Sequence, residues 1–77
     1  MNNQRRIKLR KAQDILEAIK AELEEILEQE EEARDNLPES LQYSEKYERA
    51  EASCDALDEA INMIQETIDS IEQACEQ

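Results

Sequence analysis

The stretch Asn36-Leu37-Pro38-Glu39-Ser40 is the one strong helix-breaking sequence in the chain, and it lies close to the middle of the 77 residues. Proline lacks the N–H that a helix interior needs, and its ring clashes with the preceding turn. Asn36 is expected to adopt a left-handed conformation that ends the first helix, with Pro38 at the first position of the second. Ser40 and Ser44 compete as the N-cap, so the second helix can begin with an irregular turn.

On both sides of this stretch, mostly apolar residues recur at alternating intervals of three and four. The first half has Leu9, Ala12, Leu16, Ile19, Leu23, Ile26, Glu30, Ala33 and Leu37. The second half has Tyr43, Tyr47, Ala50, Cys54, Leu57, Ile61, Ile64, Ile68, Ile71 and Cys75. Sustained three-four spacing is typical of a coiled-coil seam.

The sequence therefore predicts an all-α fold, an antiparallel two-helix coiled-coil hairpin that forms one domain over 1–77. The helices are expected at about 4–35 and 41–75, with a turn at about 36–40. Folding at Pro38 brings apolar residues opposite one another, for example Leu9 near Ile68 and Leu23 near Cys54. One long kinked helix that dimerises end to end is the alternative, which the helix breakers disfavour. The chain has no glycine, which argues against a sheet with tight turns.

Charge supports the antiparallel arrangement. Five cations lie in the first eleven residues, and the hairpin would lay them beside Glu66, Asp69, Glu72 and Glu76. The turn end is acidic and is expected to be the less stable end. A net charge of -12 disfavours direct binding to nucleic acids or anionic membranes and favours basic partners. No apolar run is long enough to span a bilayer and no signal-peptide core follows the basic start, so a cytoplasmic location is expected.

The second helix carries a further uncharged stripe, again with three-four spacing. It consists of Ser53, Ala56, Ala60, Met63, Thr67, Ser70 and Ala74. Small residues let another helix approach closely, and the first helix adds Ile15, Ala18 and Leu27 outside its seam. Because a lone hairpin core is marginal, the surplus indicates a homodimer that forms a four-helix bundle, or a groove on a protein partner. The stripe is also compatible with simple helix-forming surface residues.

Catalytic and cofactor sites are not expected. The chain lacks histidine, and no nucleophile–base pair or phosphate-binding loop is present, so neither an enzyme nor a structural zinc site is indicated. Asp55, Asp58 and Glu59 lack the glycine-bearing loop of a calcium site. Cys54 is interpreted as a seam residue, and Cys75 lies on the same seam near the end of the helix.

Three residues at the turn end are ambiguous. Glu30 lies opposite Tyr47 in the seam; it is either a polar register device or, as we favour, a residue that turns out to solvent. Tyr43 and Tyr47 are the only aromatic residues, and they are candidates both for an interaction hot spot and for seam packing.

The turn sequence resembles a known group of proteins. The residues are Asp35-Asn36-Leu37-Pro38-Glu39-Ser40-Leu41-Gln42, Ser44-Glu45-Lys46-Tyr47-Glu48 and the run Ile61, Ile64, Ile68, Asp69, Ser70, Ile71. They resemble small acidic helical-hairpin proteins of unknown function from bacteriophages and mobile elements of Gram-positive bacteria. The resemblance implies an accessory protein inside a bacterial cell and implies no site residues.

The sequence leaves two functional hypotheses. The first is a non-enzymatic protein-interaction or structural module that self-associates and binds a protein partner. The second is an acidic inhibitor that mimics nucleic acid and occupies a basic channel of a host nucleic-acid-binding or defence protein. Its carboxylates would be Glu17, Glu24, Glu28, Glu31 and Asp35. The basic N-terminal segment, which a mimic does not need, argues against the second hypothesis.

Overall fold

A computed structural model describes residues 1–77 and confirms the helical hairpin. Helix α1 spans Asn3–Asp35, a short 3-10 turn spans Glu39–Leu41, and helix α2 spans Glu45–Cys75. The two long helices pack against each other over most of their lengths, and the molecule measures 59 × 15 × 12 Å. Neither helix contains a segment long and apolar enough to cross a membrane.

Both helices begin with a side-chain cap. The Asn2 carboxamide oxygen accepts a hydrogen bond from the Arg5 backbone N–H at 2.9 Å, and the Ser44 hydroxyl oxygen accepts one from Tyr47 N–H at 3.4 Å. These bonds satisfy backbone donors that have no partner inside the helix. Glu45 and Glu48 then place negative charge in the first turn of α2, where the helix dipole favours it.

The reversal between the helices is longer than predicted, because α2 begins at Glu45 rather than near residue 41. Pro38 is extended (φ -55°, ψ 147°) and precedes the 3-10 turn instead of opening α2. Of the two competing caps, Ser44 is the one used. Asn36 is not left-handed as expected: its φ is -87°, and its N–H continues the helical pattern to the Glu32 carbonyl.

The longer reversal shifts the pairing of the helices by about one turn. Gln13, rather than Leu9, lies beside Ile68: the Gln13 side-chain amide donates to the Ile68 carbonyl at 3.2 Å. Arg10 bonds Glu72 further along, and Arg6 Nε donates to the Cys75 carbonyl at 3.0 Å. The predicted antiparallel direction is correct, while the predicted residue pairs were wrong by roughly four positions along α1.

The face of α1 that meets α2 is also rotated from the predicted seam. Gln13 is buried, and the residues that share its side of α1 are partly covered: Lys20, Leu27 and Arg34. The isoleucines expected in the seam, Ile19 and Ile26, are each 40% exposed. The seam of α2 from Tyr47 to Cys75 follows the prediction, with Cys54, Ile68 and Cys75 buried.

Polar bonds across the helices accompany this rotation. Besides its bond to Ile68, Gln13 donates to Glu72 at 3.0 Å and accepts from Arg10, while Lys20 donates to Gln65 at 2.5 Å. With Gln13 and Lys20 on the inner side of α1, Ile19 and Ile26 lie at the edge of the helix contact.

We predict that Gln13→Ala lowers the free energy of unfolding by about 1–2 kcal/mol, because the buried Ile68 carbonyl and the Glu72 carboxylate both lose a donor. Urea titration followed by circular dichroism would measure the change. Gln4→Ala, at an exposed position of the same helix, is the matched control and should be nearly neutral. Equal effects of the two substitutions would contradict the assigned role of Gln13.

Candidate interaction surfaces

The two long sides of the hairpin differ in chemistry. The hydrogen bonds that join a side chain of α1 to a side chain of α2 lie on one side, which we call the charged side: Arg10 and Gln13 bond to Glu72, and Lys20 bonds to Gln65. Successive residues of a helix are rotated by about 100° around its axis. Residues that lie across each seam from the charged side therefore form the other long side of the hairpin. For α1 those residues include Ile15, Ile19 and Ile26.

We call this other side the apolar flank. Its α1 members are Ala12, Ile15, Ala18, Ile19, Ile26 and Ala33, and its α2 members are Ser53, Ala56, Ala60, Met63, Thr67, Ser70 and Ala74. The second set is the uncharged stripe found in the sequence. Ala60 and Ala74 are half-buried against α1, and the other five residues of the stripe are exposed.

The apolar flank contains large hydrophobic side chains as well as small ones. Ile15 is 62% exposed and Met63 is 59% exposed, in addition to Ile19 and Ile26. The pairing of Arg10 with Glu72 and of Gln13 with Ile68 places Ile19 near the level of Met63. A shallow open depression lies beside Met63, Thr67 and Ser70, with Glu66 at its rim. The flank therefore groups several exposed apolar side chains near the middle of the hairpin, with the charged residue Glu22 among them on α1.

The sequence predicted only part of this surface. It indicated the stripe on α2 together with Ile15 and Ala18 of α1, but it assigned Ile19 and Ile26 to the seam. Leu27, which was expected outside the seam, lies on the side of α1 that meets α2 and is partly covered. The missed signal was the second three-four series of α1, formed by Arg6, Leu9, Gln13, Leu16, Lys20, Leu23, Leu27, Glu30 and Arg34. More polar residues interrupt that series, so the mostly apolar alternative was preferred.

The candidate acidic residues lie on the charged side and outer surface of α1. Glu17, Glu24 and Glu28 are exposed and make no ion pair within the chain. Glu31 is half-buried, and Asp35 accepts a bond from Arg34 Nε at 3.1 Å. The five carboxylates therefore share a side of α1, but two of them are partly engaged by the hairpin itself.

The two tyrosines at the turn end lie in different environments. Tyr43 lies between the 3-10 turn and α2 and is 96% exposed, so its assignment to the seam was wrong. Tyr47 is half-buried in the first turn of α2. Glu30 was expected to turn out to solvent but is half-buried. The candidate hot spot thus consists of one free aromatic side chain and one that packs against the hairpin.

The thiols are interior groups. Cys54 and Cys75 are both free and buried, 21 positions apart along α2. Burial raises the pKa of the Cys54 thiol, and the nearby carboxylates of Glu31 and Glu30 act in the same direction against Arg34. A thiol with a raised pKa is a weaker nucleophile at neutral pH. No three carboxylate or thiol side chains converge in a way that could hold a metal ion.

At the open end of the hairpin, opposite the turn, cationic side chains of α1 contact the end of α2. Arg6 Nη2 donates to the Gln77 carbonyl at 2.6 Å, which places positive charge where the dipole of α2 favours it. Arg10 forms an ion pair with Glu72, and hydrogen bonds from Arg10 and Gln13 hold the pKa of the Glu72 carboxyl below its usual range. The predicted contact between the basic N-terminal segment and the acidic end of α2 is therefore present in the Arg10–Glu72 pair.

Comparisons with known proteins do not extend this description. No protein-family model matches the chain, and no curated protein or solved structure matches it either.

We predict that the Glu72 contribution to stability depends on pH. Because the folded-state pKa is lowered, the contribution is complete above the unfolded pKa of Glu72 and is lost as the pH falls through the folded value. Urea titrations of the wild type and Glu72→Gln at several pH values would show a difference that is largest near neutrality and shrinks below about pH 4. Glu66→Gln, an exposed carboxylate of α2 without an ion pair, is the control. If the difference in unfolding free energy between the wild type and Glu72→Gln does not change with pH, ionisation of the Glu72 carboxyl is not its origin.

Proposed function

We propose that this chain is a non-enzymatic protein-interaction module that self-associates through its apolar flank and presents the completed assembly to a protein partner. The observation that carries the proposal is the exposure of Ile15, Ile19, Ile26 and Met63 on one side of the hairpin. Scattered surface hydrophobic residues need no explanation, but several large ones grouped on one side of a small hairpin support an interaction site.

The surface area of the chain supports a second copy as the occupant. A monomeric globular protein of 9.0 kDa has an accessible surface of about 4,850 Å². The hairpin exposes 5861 Å², which exceeds that value by about 1,000 Å². A stable interface buries about 800 Å² on each partner, so pairing two flanks would remove an amount of surface similar to the excess. The product would be a four-helix bundle.

The resemblance of the turn sequence supports a cellular context for this module. We propose on that basis an accessory protein of a phage or mobile element that acts in the bacterial cytoplasm. A net charge of -12 favours a partner whose contact surface is basic.

A second candidate function is the nucleic-acid mimic. The exposed and unpaired carboxylates of Glu17, Glu24 and Glu28 favour it, since they could occupy the phosphate positions of a basic channel. Capture of nucleic-acid-binding proteins from a bacterial lysate, with elution that depends steeply on salt and is lost in Glu17→Gln/Glu24→Gln/Glu28→Gln, would support this function. Salt-insensitive capture would count against it.

Self-association predicts a clear response to charge on the apolar flank. Sedimentation equilibrium of the wild type should give about twice the 9.0 kDa chain mass, and Ile19→Asp or Met63→Asp should shift the protein to monomer. The physical reason is that an aspartate on the flank would be buried without a partner in the dimer.

Asn62→Asp is the matched control for Met63→Asp, because it is the adjacent exposed residue and lies on the charged side. It should leave the dimer intact. Circular dichroism would establish that each variant keeps its helices. A wild type that stays monomeric at millimolar concentration would overturn self-association, and loss of the dimer in Asn62→Asp would contradict the assigned surface.

A further inference from the structure

We infer that the two copies pair antiparallel, with α1 of one copy lying along α1 of the other and each turn end beside the other copy's open end. This inference rests on the proposed self-association and specifies its geometry. It also makes α1, rather than the small-residue stripe of α2, the helix that determines the specificity of the interface.

Charge along and beside the apolar flank of α1 carries the inference. On the side of α1 that bears Ile15 and Ile19, the charged residues toward its beginning are the cations Arg5 and Lys8. On the adjoining outer face of α1, Lys11 is followed by the carboxylates Glu25 and Glu32. None of these five side chains makes a hydrogen bond or an ion pair within the chain. They therefore remain available to a neighbour.

Antiparallel pairing brings the cations of each copy near the carboxylates of the other. If two α1 helices cross at Ile19, Lys11 of one copy comes near the level of Glu25 of the other, and Lys8 near the level of Glu32. The two-fold axis repeats each contact, so one arrangement satisfies four oppositely charged pairs around an isoleucine centre.

The other symmetric arrangement brings like charges together. If the two-fold axis ran along the hairpin, both turn ends would meet, and residues 28–51 carry nine acidic against three basic residues. Two of those three cations, Arg34 and Arg49, already pair with Asp35 and Glu45 of their own chain. Parallel pairing would thus place two acidic ends side by side with little compensation, which disfavours it.

Glu22 is the charged residue in the middle of this side of α1, between Ile19 and Ile26. In the antiparallel arrangement it lies near the apolar centre and must extend to the rim to keep its charge in water. Glu22→Ala should therefore strengthen the dimer, as measured by sedimentation. Ala21→Ser, at the adjacent exposed position, should not strengthen it.

A charge-reversal cycle tests the pairing. The dimer dissociation constant would be measured by sedimentation for the wild type, Lys8→Glu/Lys11→Glu, Glu25→Lys/Glu32→Lys, and the chain with all four substitutions. Each double reversal should weaken the dimer by at least about tenfold, and the fourfold chain should recover most of the wild-type affinity.

The acid-to-lysine variant contains its own control for net charge. Each Glu-to-Lys change adds two charges, so the net charge moves from -12 to -8. General self-repulsion would then fall and tighten the dimer, whereas loss of the specific pairs weakens it. A tighter dimer in this variant, or no recovery in the fourfold chain, would overturn the inference.

A distance measurement provides an independent readout. A spin label at Tyr43→Cys, with Cys54→Ala and Cys75→Ala to remove the native thiols, reports on the separation of the two turn ends. Antiparallel copies should give a distance close to the 59 Å length of the hairpin. Parallel copies would give roughly 30 Å or less, about three interhelical spacings.

The experiments separate the two proposals. A monomeric wild type would overturn self-association and with it the arrangement. A dimer with short label distances would leave self-association standing and overturn only the antiparallel arrangement. Circular dichroism and sedimentation of the labelled chain must match the wild type, and the charge-reversal cycle tests the arrangement even if the alanine background fails to fold.

Discussion

The hydrogen bond from the Gln13 side chain to the Ile68 carbonyl is the buried polar contact between α1 and α2, and it marks the face of α1 that meets α2. It lies inside the hairpin, where an unmet donor or carbonyl would be costly, and Glu72 and Arg10 complete the hydrogen bonding of the same amide group. Because Gln13 faces α2, the residues on the neighbouring side of α1 face outward. The exposure of Ile19 and Ile26 accompanies the inward placement of Gln13 and Lys20 on the neighbouring side of α1.

This arrangement leaves the chain with a small interior. Only Cys54, Ile68 and Cys75 among the hydrophobic residues are buried, and every buried polar side-chain atom has a hydrogen-bond partner. A core of that size supplies little stability to a small domain. Covering the apolar flank would add hydrophobic burial where the hairpin lacks it. Folding and association would then be linked, so that the apparent stability rises with protein concentration.

Sequence reasoning was most successful where a residue's preference is strong and local. Pro38 located the reversal, and the uninterrupted apolar series of α2 located its seam, because few alternatives compete with either signal. It was less successful for α1, which carries two overlapping three-four series that share Leu9, Leu16, Leu23 and Glu30. The series that faces α2 includes Gln13 and Lys20, which bond to residues more than forty positions away. Local pattern contains no information on such contacts, and the start of α2 at Glu45, after its cap Ser44, shifted them further by extending the turn.

The two chain ends of the hairpin are neighbours in space. The Met1 amino group lies 3.4 Å from the Gln77 carbonyl oxygen, and Arg6 bridges to the same residue. The two chain ends therefore lie almost in contact at one end of the two antiparallel helices. The helices could be connected at this end of the hairpin instead of at the turn. A circular permutant that joins residues 1 and 77 through a short linker and opens the chain within 39–43 would keep both helices and all their cross-helix bonds. In such a molecule the exposed segment around Tyr43, which now connects the helices, would become a pair of free ends.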